Sequence, residues 1–210
     1  MKISTSILSV KTDLKKAIDD LNQTYTDYIH LDIMDGIFVS NTTWHVNDIY
    51  PSLINNQKPL DVHLMVSDVY KYVDEFSLLR PEYITFHYEA VDDINEMINY
   101  IKSKGVKVGL SIKPNTKVEE IYPYLPKVDL VLIMSVNPGL GGQEFMLTTI
   151  DKLNTLYNYR NDNGLNFVIN VDGGINNNTA KLIRNADIIV SGSYITNNNY
   201  NESINTLKNI

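Results

Sequence analysis

The chain has no cysteine among its 210 residues. A disulfide framework and a thiolate-bound zinc are therefore excluded, and any metal must be held by nitrogen and oxygen. No stretch approaches the roughly 20 consecutive apolar residues that a membrane-crossing helix needs. The opening residues, Met1-Lys-Ile-Ser-Thr-Ser-Ile-Leu8, lack the apolar run and cleavage site of a signal peptide, and read as a first strand. Positive charge is also scarce: 18 Lys and Arg face 25 Asp and Glu, a net charge of -7. A partner that is nucleic acid or an anionic membrane is not expected of so acidic a chain. There is no Gly-x-Gly-x-x-Gly turn after the first strand, which argues against a dinucleotide-binding open sheet. The expectation is a cytoplasmic protein with no membrane segment.

What the chain does have is 43% hydrophobic residues, enough for one sizeable core in a single domain over residues 1–210. Short runs dense in Ile, Val, Leu, Phe and Tyr recur at 2–8, 28–34, 60–66, 83–88, 106–112, 130–136, 167–171 and 188–192. Such runs suit parallel strands buried on both faces. Amphipathic stretches lie between most of them, at 13–22, 69–79, 94–103, 149–159, 178–184 and 202–210. Thr12 offers an N-cap for the first, and Gly105 a C-terminal stop before the fifth strand. Eight strands alternating with helices predict an α/β fold, a (β/α)8 TIM barrel.

Barrel chemistry sits at the C-terminal ends of the strands. There the sequence collects polar and small residues. His30, Asp32 and Met34 alternate on strand two, and Asp61, His63 and Met65 on strand three. Side chains two apart on a strand share a face. An isolated His-x-Asp is most often a pair that satisfies itself or nearby loops. A second imidazole at matching depth, and Asp172 at the end of an apolar run, change that reading. Two imidazoles and two carboxylates suit zinc, iron or manganese, and one divalent cation would offset the cost of burying all four. His87 and His45 lack such a pattern. Met34, Met65 and Met134 read first as core fillers, or as a soft floor beneath a reacting oxyanion. Gly139-Leu140-Gly141-Gly142, Gly173-Gly174 and Gly192-Ser193 follow strands six, seven and eight, where barrels bind phosphate through backbone N–H groups. The three arginines, at 80, 160 and 184, lie outside these loops.

Seven strings carry a resemblance to the ribulose-phosphate 3-epimerase family along nearly the whole chain. They are Ser6-Ile-Leu-Ser, His30-Leu-Asp-Ile-Met-Asp-Gly36, Asp61-Val-His-Leu-Met-Val66, Ile84-Thr-Phe-His-Tyr-Glu-Ala90, Met134-Ser-Val-Asn-Pro-Gly-Leu-Gly-Gly-Gln143, Val171-Asp-Gly-Gly-Ile175 and Ser191-Gly-Ser193. The resemblance implies a (β/α)8 barrel and an isomerase that inverts C3 of D-ribulose 5-phosphate. It implies that His30, Asp32, His63 and Asp172 hold a divalent cation, usually zinc, with iron, manganese or cobalt able to serve. Asp32 and Asp172 would be the acid/base pair, Asp32 the base for ribulose 5-phosphate and Asp172 the acid. Ser6 and His63 would touch the sugar phosphate, with Gly139, Leu140, Gly141, Gly142, Gly173, Gly174, Gly192 and Ser193 around it. A homo-oligomer is also implied. The chain departs from the family pattern at Thr5, at Ile37 and Ser40, and at Leu140. Two rival readings are an epimerase of a hexulose 6-phosphate and a sugar-phosphate-binding barrel without catalysis.

Overall fold

A computed structural model describes residues 1–11 and 13–210. Its eight strands are β1 (Lys2–Ser6), β2 (Tyr28–Met34), β3 (Leu60–Met65), β4 (Tyr83–His87), β5 (Lys107–Ile112), β6 (Leu130–Met134), β7 (Val168–Asp172) and β8 (Ile188–Ser191). Each pairs in parallel with its neighbours, and β8 returns to β1, so the sheet closes as a barrel in sequence order. All eight predicted strands are present.

The parity of each strand decides which residues reach the chemistry. Ile29, Leu31 and Ile33 of β2 pack outward with Val62, Leu64, Ile84 and Phe86 against the helices, in the main core. The alternate residues point into the barrel, where Tyr28, Tyr83, Leu130, Leu132, Ile188 and Val190 fill its floor. His30, Asp32, Asp61, His63 and His87 are buried among the inward set. The register sets Asp32 beside His63, and Met34 beside Met65.

The helices are α1 (Leu14–Asn22), α2 (Val46–Leu53), α3 (Val69–Ser77), α4 (Ile94–Ser103), α5 (Thr148–Asp162), α6 (Ser193–Thr196) and α7 (Tyr200–Lys208). Thr12 lies outside the described residues. The cap seen on α1 is Asp13, whose carboxylate accepts the Lys16 N–H at 3.0 Å. Gly105 takes φ +75° just past α4, as the predicted stop requires. Four segments differ from expectation. The stretch 178–184 contains only a 3-10 turn, Ala180–Leu182, because Thr179 folds back onto Asn176 and Gly174. Pro51 obscures the pattern of α2, and Pro123 and Pro126 limit Val118–Lys127 to a 3-10 helix. The four-residue α6 is too short to show a period. Among the described residues no helix is long and apolar enough to cross a membrane.

Candidate active site

Four side chains meet at the C-terminal end of the barrel. One ligand atom from each of His30, Asp32, His63 and Asp172 lies within 4.8 Å of every other. β2 supplies two of them, β3 one and β7 one, so the group bridges opposite sides of the ring. His30 Nε2 and His63 Nδ1 each lie 3.2 Å from Asp32 Oδ1. Asp172 Oδ2 stands 3.9 Å from the first nitrogen and 3.7 Å from the second. Both imidazoles are fully buried. Two buried imidazoles and two convergent carboxylates, Asp172 facing the open cavity, form a donor set able to hold one divalent cation.

The electrostatics of the cluster are uneven. Burial pushes the Asp32 carboxyl upward, but the charge and hydrogen bonds of His30 and His63 outweigh it and hold it well below the usual carboxylate range. Burial and then the nearby Asp32 charge push Asp172 up to about 6. Burial opposes charge on His30, yet the Asp32 and Asp61 carboxylates on either side of its ring raise its pKa well above normal. Two carboxylates in one site thus differ strongly in their hold on a proton.

Further groups orient these four. The Ser6 hydroxyl donates to Asp32 Oδ2 at 2.7 Å. His30 Nδ1 donates to Asp61 Oδ2 at 2.8 Å, and that oxygen also accepts the Ser4 hydroxyl at 2.8 Å. His63 Nε2 lies 2.9 Å from His87 Nε2, and His87 Nδ1 lies 3.2 Å from Glu89 Oε2. Sequence reasoning left Asp61, His87 and Glu89 without roles. The signal was available: Asp61-x-His63 and His87-x-Glu89 repeat the two-residue spacing of His30-x-Asp32. His45 is exposed and pairs with Glu75, away from the cluster.

Above the cluster is a cavity lined by Ser6, Asp32, Asp172, Met34, Met65 and Met134. Its upper wall is Gly139, Leu140, Gly141, Gly142, Gly173, Gly174, Gly192 and Ser193. Every predicted site residue therefore meets at one place, the two imidazoles beneath and the rest around the space. The three methionines sit on its lower side, each at most 3% exposed. The loop after β6 crosses the mouth. Asn41 Nδ2, from the loop after β2, donates to the Gly139 carbonyl at 2.7 Å. Gln143 Nε2 donates to the carbonyls of Asn137 and Leu140, at 2.6 and 2.8 Å.

Comparison with known proteins gives this arrangement a lineage. Residues 2–196 match the model of the ribulose-phosphate 3 epimerase family. The chain belongs to that family. It is similar to the ribulose-phosphate 3-epimerase of Treponema pallidum (strain Nichols), at 38% identity over 91% of this chain and 89% of the relative. It is also similar to that of Bacillus subtilis (strain 168), at 35% identity over 93% of this chain and 92% of the relative. Among solved structures it resembles KGPDC from Streptococcus mutans, with TM-score 0.66 at 15% identity, covering 99% of this chain and 95% of that one. N-(5'-phosphoribosyl)anthranilate isomerase from Pyrococcus furiosus gives TM-score 0.65 at 12% identity, covering all of both chains. These structural likenesses show the barrel fold alone. The epimerase family membership rests on the sequence matches.

Proposed function

We propose that the protein interconverts D-ribulose 5-phosphate and D-xylulose 5-phosphate by moving a proton at C3. The observation that carries this reading is the pair Asp32 and Asp172. They come from β2 and β7, border one cavity and have protonation tendencies pushed apart. A single base tends to return a proton to the face it left. Inversion needs a group on each side of the carbon. Asp32, held ionised, is the group ready to take the C3 proton of ribulose 5-phosphate. Asp172, on β7 and with the greater hold on a proton of the two carboxyls, is the group able to deliver one to the opposite face of the 2,3-enediolate. The roles exchange in the reverse direction.

His30, Asp32, His63 and Asp172 would hold the divalent cation, with zinc the first choice and iron, manganese or cobalt able to serve. Bound there, it would supply Lewis-acid polarisation of the substrate carbonyl. Ser6 holds Asp32 by its hydroxyl and borders the substrate space. The backbone of Gly173, Gly174, Gly192 and Ser193 is the reading's phosphate cradle, in keeping with an arginine-free wall. Met34, Met65 and Met134 give the reacting carbon a polarisable, water-poor floor. Gly139–Gly142 act as a lid, which the Asn41 hydrogen bond steadies when closed.

The test is a coupled ribulose 5-phosphate assay on metal-analysed protein, run in deuterium oxide. Deuterium should enter C3 of the product during turnover. Asp172→Asn should fold normally and lose about 10²–10⁴-fold in kcat, the usual share of a positioned acid or base. Near-normal turnover by that variant, or product without label, would overturn the scheme. A hexulose 6-phosphate run side by side separates the two substrate classes.

A further inference from the structure

Beneath the cation cluster a buried chain of hydrogen bonds runs sideways, from β3 through β4 to the loop after β5. His63 turns Nδ1 toward Asp32 and Asp172 and Nε2 toward His87 Nε2, 2.9 Å away. His87 is fully buried, and its Nδ1 meets Glu89 Oε2 at 3.2 Å. Glu89 Oε1 accepts the Lys113 N–H at 2.8 Å and the Thr116 hydroxyl. The loop bearing those donors is itself pinned. Lys152 Nζ donates to the carbonyls of Lys113, Pro114 and Thr116 at 2.8, 2.8 and 2.7 Å. The Phe38 ring lies against His87, with centroids 5.0 Å apart, and Lys113 Nζ lies 3.9 Å from the centre of the Phe38 ring.

The direction of this chain follows from the chemistry of imidazole. A neutral imidazole has one N–H and one lone pair. For His63 to offer the Nδ1 lone pair to a cation, its proton must sit on Nε2. That N–H points at His87 Nε2, which must then accept and carry its own proton on Nδ1. The Nδ1–H in turn points at Glu89, a carboxylate that only accepts. Each link permits one arrangement once the far end is an anion. At the other nitrogen the ionised Asp32 Oδ1, 3.2 Å from Nδ1, favours the opposite tautomer until a cation comes between them, so the His87–Glu89 arm is what holds the ligand form.

We propose that Glu89, acting through His87, is the positioning residue for the cation ligand His63. It fixes the tautomer that leaves the Nδ1 lone pair free for the cation. Asp61 does the corresponding work for His30 in one step, at 2.8 Å. The inference rests on the cation reading above, and adds residues that neither touch the cavity nor face the substrate.

The experiment measures Zn²⁺ affinity by chelator competition, together with the 15N shifts of the His63 ring, in cation-free and Zn²⁺-loaded protein. In the unaltered chain the Nε2–H tautomer of His63 should be populated before Zn²⁺ is added and be the sole form after. Glu89→Ala should lower Zn²⁺ affinity by about 10–100-fold, the usual effect of losing an outer partner. It should also move the cation-free His63 ring toward the Nδ1–H tautomer, a change that loosened packing alone would not produce. His87→Leu keeps the site filled and removes the acceptor. It should do the same, and it stands in if Glu89→Ala does not fold. Zn²⁺ affinity within threefold of the unaltered chain in these variants, with the His63 tautomer unchanged, would overturn the proposal and leave the cation reading intact. Failure of the unaltered chain to bind Zn²⁺ would overturn both.

Discussion

Asp32 and Asp172 have the same side chain and border the same cavity, yet their surroundings sort them. Asp32 sits among imidazoles and the Ser6 hydroxyl, whereas Asp172 sees chiefly burial and the charge of Asp32. This sorting gives cation binding a definite pH dependence. Asp172 binds a proton up to about pH 6, and His30 remains protonated well above the ordinary range of histidine. Below about pH 6 a cation must displace both protons, and above it only that of His30. Its apparent affinity should therefore fall as the pH drops, by roughly tenfold per pH unit for each proton displaced. Calorimetry of Zn²⁺ binding at pH 7.5 and 5.5, in buffers of differing ionisation enthalpy, should show proton release and weaker binding at the lower pH. Equal affinity at both would contradict the assigned ligands. The cluster of His30, Asp32, His63 and Asp172 was legible in the sequence because an imidazole or carboxylate in an apolar strand is costly unless something is there to meet it. The roles of Asp61 and His87, and of Glu89 behind His87, were not, because the ligand each serves lies on another strand: Asp61 on β3 meets His30 on β2, and His87 on β4 meets His63 on β3. Sequence spacing reports the face a residue is on and not the neighbour it touches.

At the scale of the element, register makes the site. β3 carries a ligand at His63 and, two residues earlier, the group that orients the ligand of β2. A slip by one residue would turn both toward the helices and bring Leu64 and Val62 inward. The turn after β7 is set as tightly. Gly174 has φ +62°, and a Cβ there would lie 2.6 Å from the Phe145 nitrogen and 2.9 Å from the Gln143 carbonyl oxygen. Both neighbours are backbone, so Gly174→Ala must move the end of the lid loop. We expect a cost of about 1–3 kcal/mol in stability and a rise of roughly tenfold in KM for the sugar phosphate, since a displaced cradle is poorly pre-organised. Thermal melting and steady-state kinetics check this. An unchanged KM would remove the turn from the phosphate site. Strands were easier to read than helices here. The strands are buried on both faces and spell themselves as apolar runs. α2 and the 3-10 helix Val118–Lys127 carry prolines, and α6 is a single turn.

For the whole molecule, the eight-strand ring could be expected from alternation alone, and its closure by β8 against β1 is what the structure adds. Closure places β7 across the ring from β3, with β4, β5 and β6 on one side and β8, β1 and β2 on the other. An ion gripped by His30, Asp32, His63 and Asp172 would thus be a cross-brace, a spoke added at the open end to a wheel already joined along its rim and through its packed floor. Such a spoke damps the breathing of the strands it joins and leaves the rest of the rim as it was. Amide hydrogen exchange with and without Zn²⁺ should show added protection in β2, β3 and β7 and little in β5. Protection spread evenly over all eight strands would mean that the ion stabilises the fold without bracing it. Braced by its ion, the barrel would hold its two proton-carrying aspartates at a fixed distance through each turnover, and the stereochemical outcome would be set by the stiffness of the ring.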